Sequence, residues 1–177
     1  CSAADPAIEC APTADDAAGG RSVGSNHMAR YLIVANQTIG GEQLTAKLDE
    51  LGSAGSCTFR FLVPVTDTEG LHQWDYPPID RVIPDAHLIA AALAQGRLEH
   101  ELARLQRSGV DASGEVVDAL PVGRAQELLQ EEHFDGVVVS TLPRRLSRWL
   151  VMDLPHRIAR LSDVPVTHVE GNAGPSL

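Results

Sequence analysis

From Ala29 onward the apolar residues fall into two alternating patterns: short unbroken runs, and stripes at helical spacing. "YLIVA" (Tyr31–Ala35) is an apolar run that ends in polar "NQT" and then "IGG". "EQLTAKLDELG" places Leu44, Leu48 and Leu51 on one helical face and stops at Gly52. "CTFRFLVPV" (Cys57–Val65) predicts a second strand, followed by the long loop "TDTEGLHQWDYPPIDRVIP". Asp85 is placed to cap the next helix, "AHLIAAALAQGRLEHELARLQRSG". There Leu88, Ala92, Leu98, Leu102 and Leu105 make one apolar face, and Gly109 ends it. "EVVDAL" predicts a third strand, and "VGRAQELLQEEHF" a helix with Ala125, Leu128 and Leu129 inward. "GVVVST" (Gly136–Thr141) is a continuous apolar run, as in a strand covered on both faces. A last helix ends near Leu161, and "VPVTHVE" is the fifth strand.

Strand and helix in strict alternation predict an α/β domain: a parallel sheet, right-handed crossovers, and helices on both faces. In such sheets ligands bind beyond the carboxyl ends of the strands, where the strand order reverses. That rule directs attention to the residues just after the first and fourth strands.

Composition narrows the function classes. The 177 residues are 44% hydrophobic and only 4% aromatic, so the core is built from Val, Leu, Ile and Ala. No apolar run reaches the roughly 18–20 residues of a membrane span. The net charge of -10 argues against nucleic-acid binding, because phosphates are repelled rather than steered in. Lys47 is the sole lysine. Cys1, Cys10 and Cys57 have no metal-type spacing, and Cys57 reads as an inert thiol at a strand start. The seven histidines are scattered and give no two-histidine helix motif, so no metal site is expected. His168, in the last strand, is expected to face solvent or a second copy of the chain.

Residues 1–28, rich in Ala, Gly, Ser, Asp and Pro, read as a loosely attached tail, residues 29–171 as the domain, and 172–177 as a second tail. Met28 is a candidate natural start, "GSNHM" resembles an expression-vector remnant, and the initial cysteine leaves a processed lipoprotein open.

The chemistry-bearing stretch is "VVVSTLPRRLSRWL" (Val137–Leu150), a buried strand turning into an arginine-rich, helix-leaning segment. Strand-to-helix phosphate loops are usually glycine-rich, because the backbone must approach the ligand closely. This junction has no glycine. Pro143 instead fixes φ, removes an N–H donor and restricts Leu142 to extended conformations. Further on, in "MDLPHRIARL", Asp153 is placed to cap the last helix, with Pro155 in its first turn. A capping carboxylate engages the N–H groups a phosphate would use; like charges ~4 Å apart cost on the order of several kcal/mol near a surface. Arg144, Arg145 and Arg148 work the other way, since guanidinium groups bind phosphate without glycine. Ser140 and Thr141 add hydroxyls, and Gly40–Gly41 opens the first helix at the same edge. The competing reading, favoured by the net charge, is a solvated arginine face paired with the chain's excess carboxylates. Leu146, Trp149 and Leu150 read as packing residues.

Three stretches resemble the universal stress protein family, of the adenine-nucleotide-binding HUP type, over essentially Arg30 to Val169: "RYLIVANQT", "GEVVDALPVGRAQELLQEEHFDGVVVST" and "SDVPVTHV". The resemblance implies a three-layer α/β/α sandwich with a five-stranded sheet of order 3-2-1-4-5, and a homodimer made through the last strand, Val164 to Val169. In ATP-binding members the fourth strand is followed by G-x-x-G, nine residues, then G-S or G-T. Here those glycines fall on Ser140, Pro143, and Met152 or Asp153. The family's first-strand aspartate, which touches the nucleoside, is matched by Asn36, and the hydroxyl residue after it by Thr38.

The expected function is therefore a cytoplasmic, non-catalytic regulatory or stress-related protein with a degenerate ATP site. It binds either no nucleotide or an adenosine-type ligand through Asn36, Thr38 and the backbone after Val63. One alternative is a true ATP or AMP binder using Arg144, Arg145 and Ser140; another is a homodimeric interaction module using the fifth strand and the Trp74–Tyr76 loop. A hydrolase comes last, since no base–nucleophile pair, G-x-S-x-G elbow or Walker loop is present. The Asn36-Gln37-Thr38 sequon, at a buried strand end, is expected to be inert.

Overall fold

In the computed structural model, the described residues are 28–65, 86–118, 121–143, 154–161 and 163–174. The expectations placed on Arg144, Arg145, Arg148, Trp149 and Asp153, on the Asp85 cap, and on the Trp74–Tyr76 loop lie outside them.

The elements run β1 (Ala29–Val34), α1 (Glu42–Ala54), β2 (Cys57–Pro64), α2 (Ala86–Arg107), β3 (Asp111–Val117), α3 (Pro121–Glu131), β4 (Gly136–Thr141), α4 (Leu154–Ala159) and β5 (Val166–Glu170). The five strands form one sheet of order β3-β2-β1-β4-β5, and every pairing is parallel. This is the α/β sandwich and strand order the sequence reading predicts.

Chain direction explains the layers. From β1 through β2 to β3 the chain moves one way, so right-handed crossovers put α1 and α2 on one face. It then returns past β1 to β4 and β5, which puts α3 and α4 on the other. Two cores result. Ile33, Phe59, Phe61, Val63 and Val138 pack under Leu44 and Leu48 of α1 and Ala94, Leu98 and Leu105 of α2. Leu32, Val34, Leu62, Val137 and Val139 pack against Ala125 and Leu128 of α3 and Leu154 and Ile158 of α4. β4 is buried along its whole length, as its unbroken apolar run requires.

Gly109 ends α2 as expected, and the geometry says why. Its φ of 75° is left-handed, its N–H bonds the Gln106 carbonyl at 3.0 Å, and the next N–H, of Val110, reaches back to Leu105 at 3.0 Å. Val110 and Leu105 then meet in the same core, which completes a Schellman motif.

Two expectations are corrected. The third strand begins at Asp111, four residues before the predicted "EVVDAL", because "DASG" pairs with Thr58 to Phe61 of β2 despite its poor strand propensity. Gly114 fits there because an added Cβ would stand 2.7 Å from Leu98 Cδ1 and 2.8 Å from Phe61 Cβ. The buried face of α2 is also rotated: Ala90, Ala94, Leu98, Glu101 and Leu105 face inward, Ala92 is exposed, and Leu88 is 63% exposed. An apolar-only count passes over Glu101, which is buried as the partner of Arg104.

Candidate functional site

Val34 of β1 lies beside Val139 of β4, so these neighbouring strands end together while their connections leave on opposite faces. This is the switch point of the sheet. The predicted residues Asn36, Thr38, Ser140 and Thr141 all converge on it.

After β1 the chain makes a tight turn, closed by Ile39 N–H to the Asn36 carbonyl at 3.0 Å and Gly41 N–H to the Thr38 carbonyl at 2.9 Å. Gly41 is the N-cap residue of α1, and only glycine fits: a Cβ would meet the Asn172 carbonyl oxygen at 2.6 Å and that of Thr38 at 2.9 Å. Asn172 belongs to the segment after β5, which folds back across this turn. Gly171 N–H donates to the Thr141 carbonyl at 2.9 Å, Asn172 N–H to Gln43 Oε1 at 3.1 Å, and Gly174 N–H to the Gln37 carbonyl at 2.8 Å. The chain therefore stays bound to the domain through Gly174, and the turn is held from both sides.

Asn36 is buried, and its carboxamide is fixed in orientation. Its Nδ2 donates to the Pro64 carbonyl at 2.8 Å, and its Oδ1 accepts from Arg97 Nη1 at 3.1 Å. An aspartate here would lack the amide donor that reaches Pro64. Val63 sends its side chain into the core. Of the backbone just past it, Pro64 has no N–H, and Val65 N–H donates to the Val117 carbonyl at 2.8 Å. The first two positions after Val63 thus present no backbone N–H to a ligand.

Thr38 and Ser140 are different. Both are essentially fully buried, at 1% and 0% exposure, and neither hydroxyl has a hydrogen-bond partner. Burying an unpartnered polar group costs about 1–3 kcal/mol, so such groups are uncommon in folded proteins and call for an explanation. Thr141, next to Ser140, is engaged: its Oγ1 lies 2.8 Å from His168 Nε2 on β5. Burial pulls the His168 imidazole below its ordinary value, as does the nearby His156, while Glu170 pulls it up.

Arg97 was not among the residues singled out from the sequence. It sits on α2 three residues after buried Ala94 and four before buried Glu101. A charged pair at that spacing, inside an otherwise apolar stripe, is the signal that could have found it. Burial disfavours the charged form and lowers the pKa of its guanidinium below the ordinary arginine value.

Among the described residues no group of three or more His, Cys, Asp or Glu side chains could hold a metal ion, and no helix is long and apolar enough to cross a membrane.

No protein-family model and no curated sequence matches the chain. Solved structures do. The universal stress protein from Lactobacillus plantarum superposes with a TM-score of 0.53 at 13% identity, over 80% of this chain and 97% of its own. The universal stress protein from Archaeoglobus fulgidus in complex with dAMP gives 0.51 at 12% identity, over 82% and 99%. A universal stress protein family member from Arabidopsis thaliana with AMP bound gives 0.51 at 11% identity, over 82% and 93%. The chain has the universal stress protein fold.

Proposed function

We propose that the protein is a regulatory, non-enzymatic protein of the universal stress type, cytoplasmic and homodimeric. Its switch-point crevice takes a small adenosine-type ligand but does not wrap a triphosphate. The observation that carries this reading is the pair of buried, unpartnered hydroxyls of Thr38 and Ser140 at adjoining strand ends. Hydroxyls both donate and accept, which suits the mixed polarity of a nucleoside better than a bare phosphate chain. Pro143 after β4 removes a backbone donor where the family's loop has glycine. Two of the solved structures that share the fold hold AMP or dAMP. Assembly through the last strand is supported by the position of β5 at the sheet edge, with Thr167, His168 and Glu170 exposed.

Calorimetry with adenosine, AMP and ATP tests the reading. Saturable binding of AMP or adenosine is expected, with ATP no tighter than AMP, and weaker binding in Thr38→Val and Ser140→Ala. ATP binding tenfold or more tighter than AMP, or full affinity in the double variant, would overturn it.

A further inference from the structure

We propose that Arg97 is the group by which this crevice reads charge: it pairs with an anionic substituent of the ligand, so that a nucleoside monophosphate is bound in preference to the uncharged nucleoside. The proposal rests on the adenosine-site reading above and adds the ligand's ionic class and the residue that selects it.

The other half-buried arginines of the described structure are each held by a carboxylate. Arg60 lies 3.6 Å from Glu115, Arg104 lies 2.8 Å from Glu101, and Arg124 lies 2.8 Å from Glu115. Arg97 is the exception: its hydrogen bond goes to the neutral Asn36 carboxamide at 3.1 Å. No carboxylate among the described residues comes within ion-pair distance of it. In a chain with 24 acidic and 14 basic side chains a carboxylate is easily found for a guanidinium, yet none of the described ones pairs with Arg97.

A partly desolvated cation without a counter-charge is unfavourable in the free protein and ready to pair with an arriving anion. Guanidinium carries five N–H donors in a fixed fork, and the bond to Asn36 uses one of them. A carboxylate at position 36 would neutralise Arg97; the Asn36 carboxamide does not, and its bond to Pro64 aims Oδ1 at the guanidinium. Two residues further along the same turn stands the unpartnered Thr38 hydroxyl, with that of Ser140 on the neighbouring strand. Cation and hydroxyls thus belong to one edge of the sheet. The charge recognition comes from α2, a different element from the β4–α4 connection that the sequence pointed to.

The experiment is calorimetric titration of the whole chain with AMP, adenosine and inorganic phosphate, repeated with Arg97→Gln and Arg97→Lys. The wild type is expected to bind AMP at least tenfold tighter than adenosine. Arg97→Gln should reduce that preference to within twofold by weakening AMP alone, and Arg97→Lys should keep part of it. Equal affinity for AMP and adenosine in the wild type overturns the role of Arg97 while leaving the adenosine site standing. That comparison does not depend on any variant folding. Unchanged AMP affinity in Arg97→Gln overturns it too. Binding of phosphate that Arg97→Gln abolishes, with no binding of adenosine, supports Arg97 and overturns the adenosine reading. No binding of any of the three overturns both.

Discussion

Arg97 and Arg104 stand two turns apart on the same side of α2, both half-buried, and their surroundings are opposite. Arg104 meets the fully buried Glu101 in a two-pronged contact, Nε to Oε2 at 3.0 Å and Nη2 to Oε1 at 2.8 Å. Asp49 of α1 adds a further contact at 3.6 Å. The hydrogen bonding that Arg104 donates to the Glu101 carboxylate is the main reason its guanidinium is held above its ordinary value. Arg97, bound to an amide, is shifted the other way by burial. One guanidinium ties α2 to α1; the other is bound to an amide, with no carboxylate partner among the described residues. A charge neutralised within the protein is architecture, whereas one without a counter-charge is the kind we assign to recognition.

The largest expected effect breaks the neutralised half. Arg104→Ala leaves the Glu101 carboxylate buried without its partner and should lower unfolding stability by about 3 kcal/mol in urea titration. Arg97→Leu should change stability by less than about 1 kcal/mol, because it removes one bond to a neutral group and an unpaired cation together. Equal losses in the two variants would erase the contrast.

A smaller effect, opposite in sign, is expected at the crevice. Ser140→Ala removes a buried hydroxyl that has no partner, so the ligand-free protein should gain up to about 1 kcal/mol while ligand affinity falls. A destabilised variant would mean that the hydroxyl is satisfied in solution and does not wait for a ligand.

The smallest effect is on pH. His168 is exposed as a residue, but its ring is partly desolvated where it meets Thr141, and this depresses its folded pKa below 6.5, so folding favours the neutral ring. Its contribution is complete above pH 6.5 and is lost as pH falls through the depressed value. Stability measured across that window should drop more in the wild type than in His168→Gln. Identical pH profiles would remove His168 from the pH balance of the β4–β5 edge.

The elements that read clearly in the sequence are those whose own residues decide them. β4 is a run of small branched residues that can only be buried on both faces, and its predicted bounds, Gly136–Thr141, are the observed ones. Gly109 ends α2 because a left-handed residue is needed there and glycine supplies it without strain. Leu44, Leu48, Ala125 and Leu128 announce their burial by spacing. β3 reads badly because the β2 partner, not the propensity of "DASG", makes it a strand. The inward face of α2 reads badly because burial there includes Glu101, a charge that no hydrophobic count assigns to a core.

The candidate site divides in the same way. The alternation of strands and helices, together with the switch-point rule, directs attention to the ends of β1 and β4. The resemblance to the universal stress protein family then picks out Asn36 and Thr38, and Ser140 and Thr141 are named for their hydroxyls after β4. Only the tertiary structure decided what each of them does. Hydrogen-bond partnership is a property of positions far apart in the chain: Asn36 with Pro64 and Arg97, Thr141 with His168, and the Asn36–Gly41 turn with the segment ending at Gly174. Local sequence carries period, propensity and charge, but which charge is compensated depends on what the packed helices bring next to it.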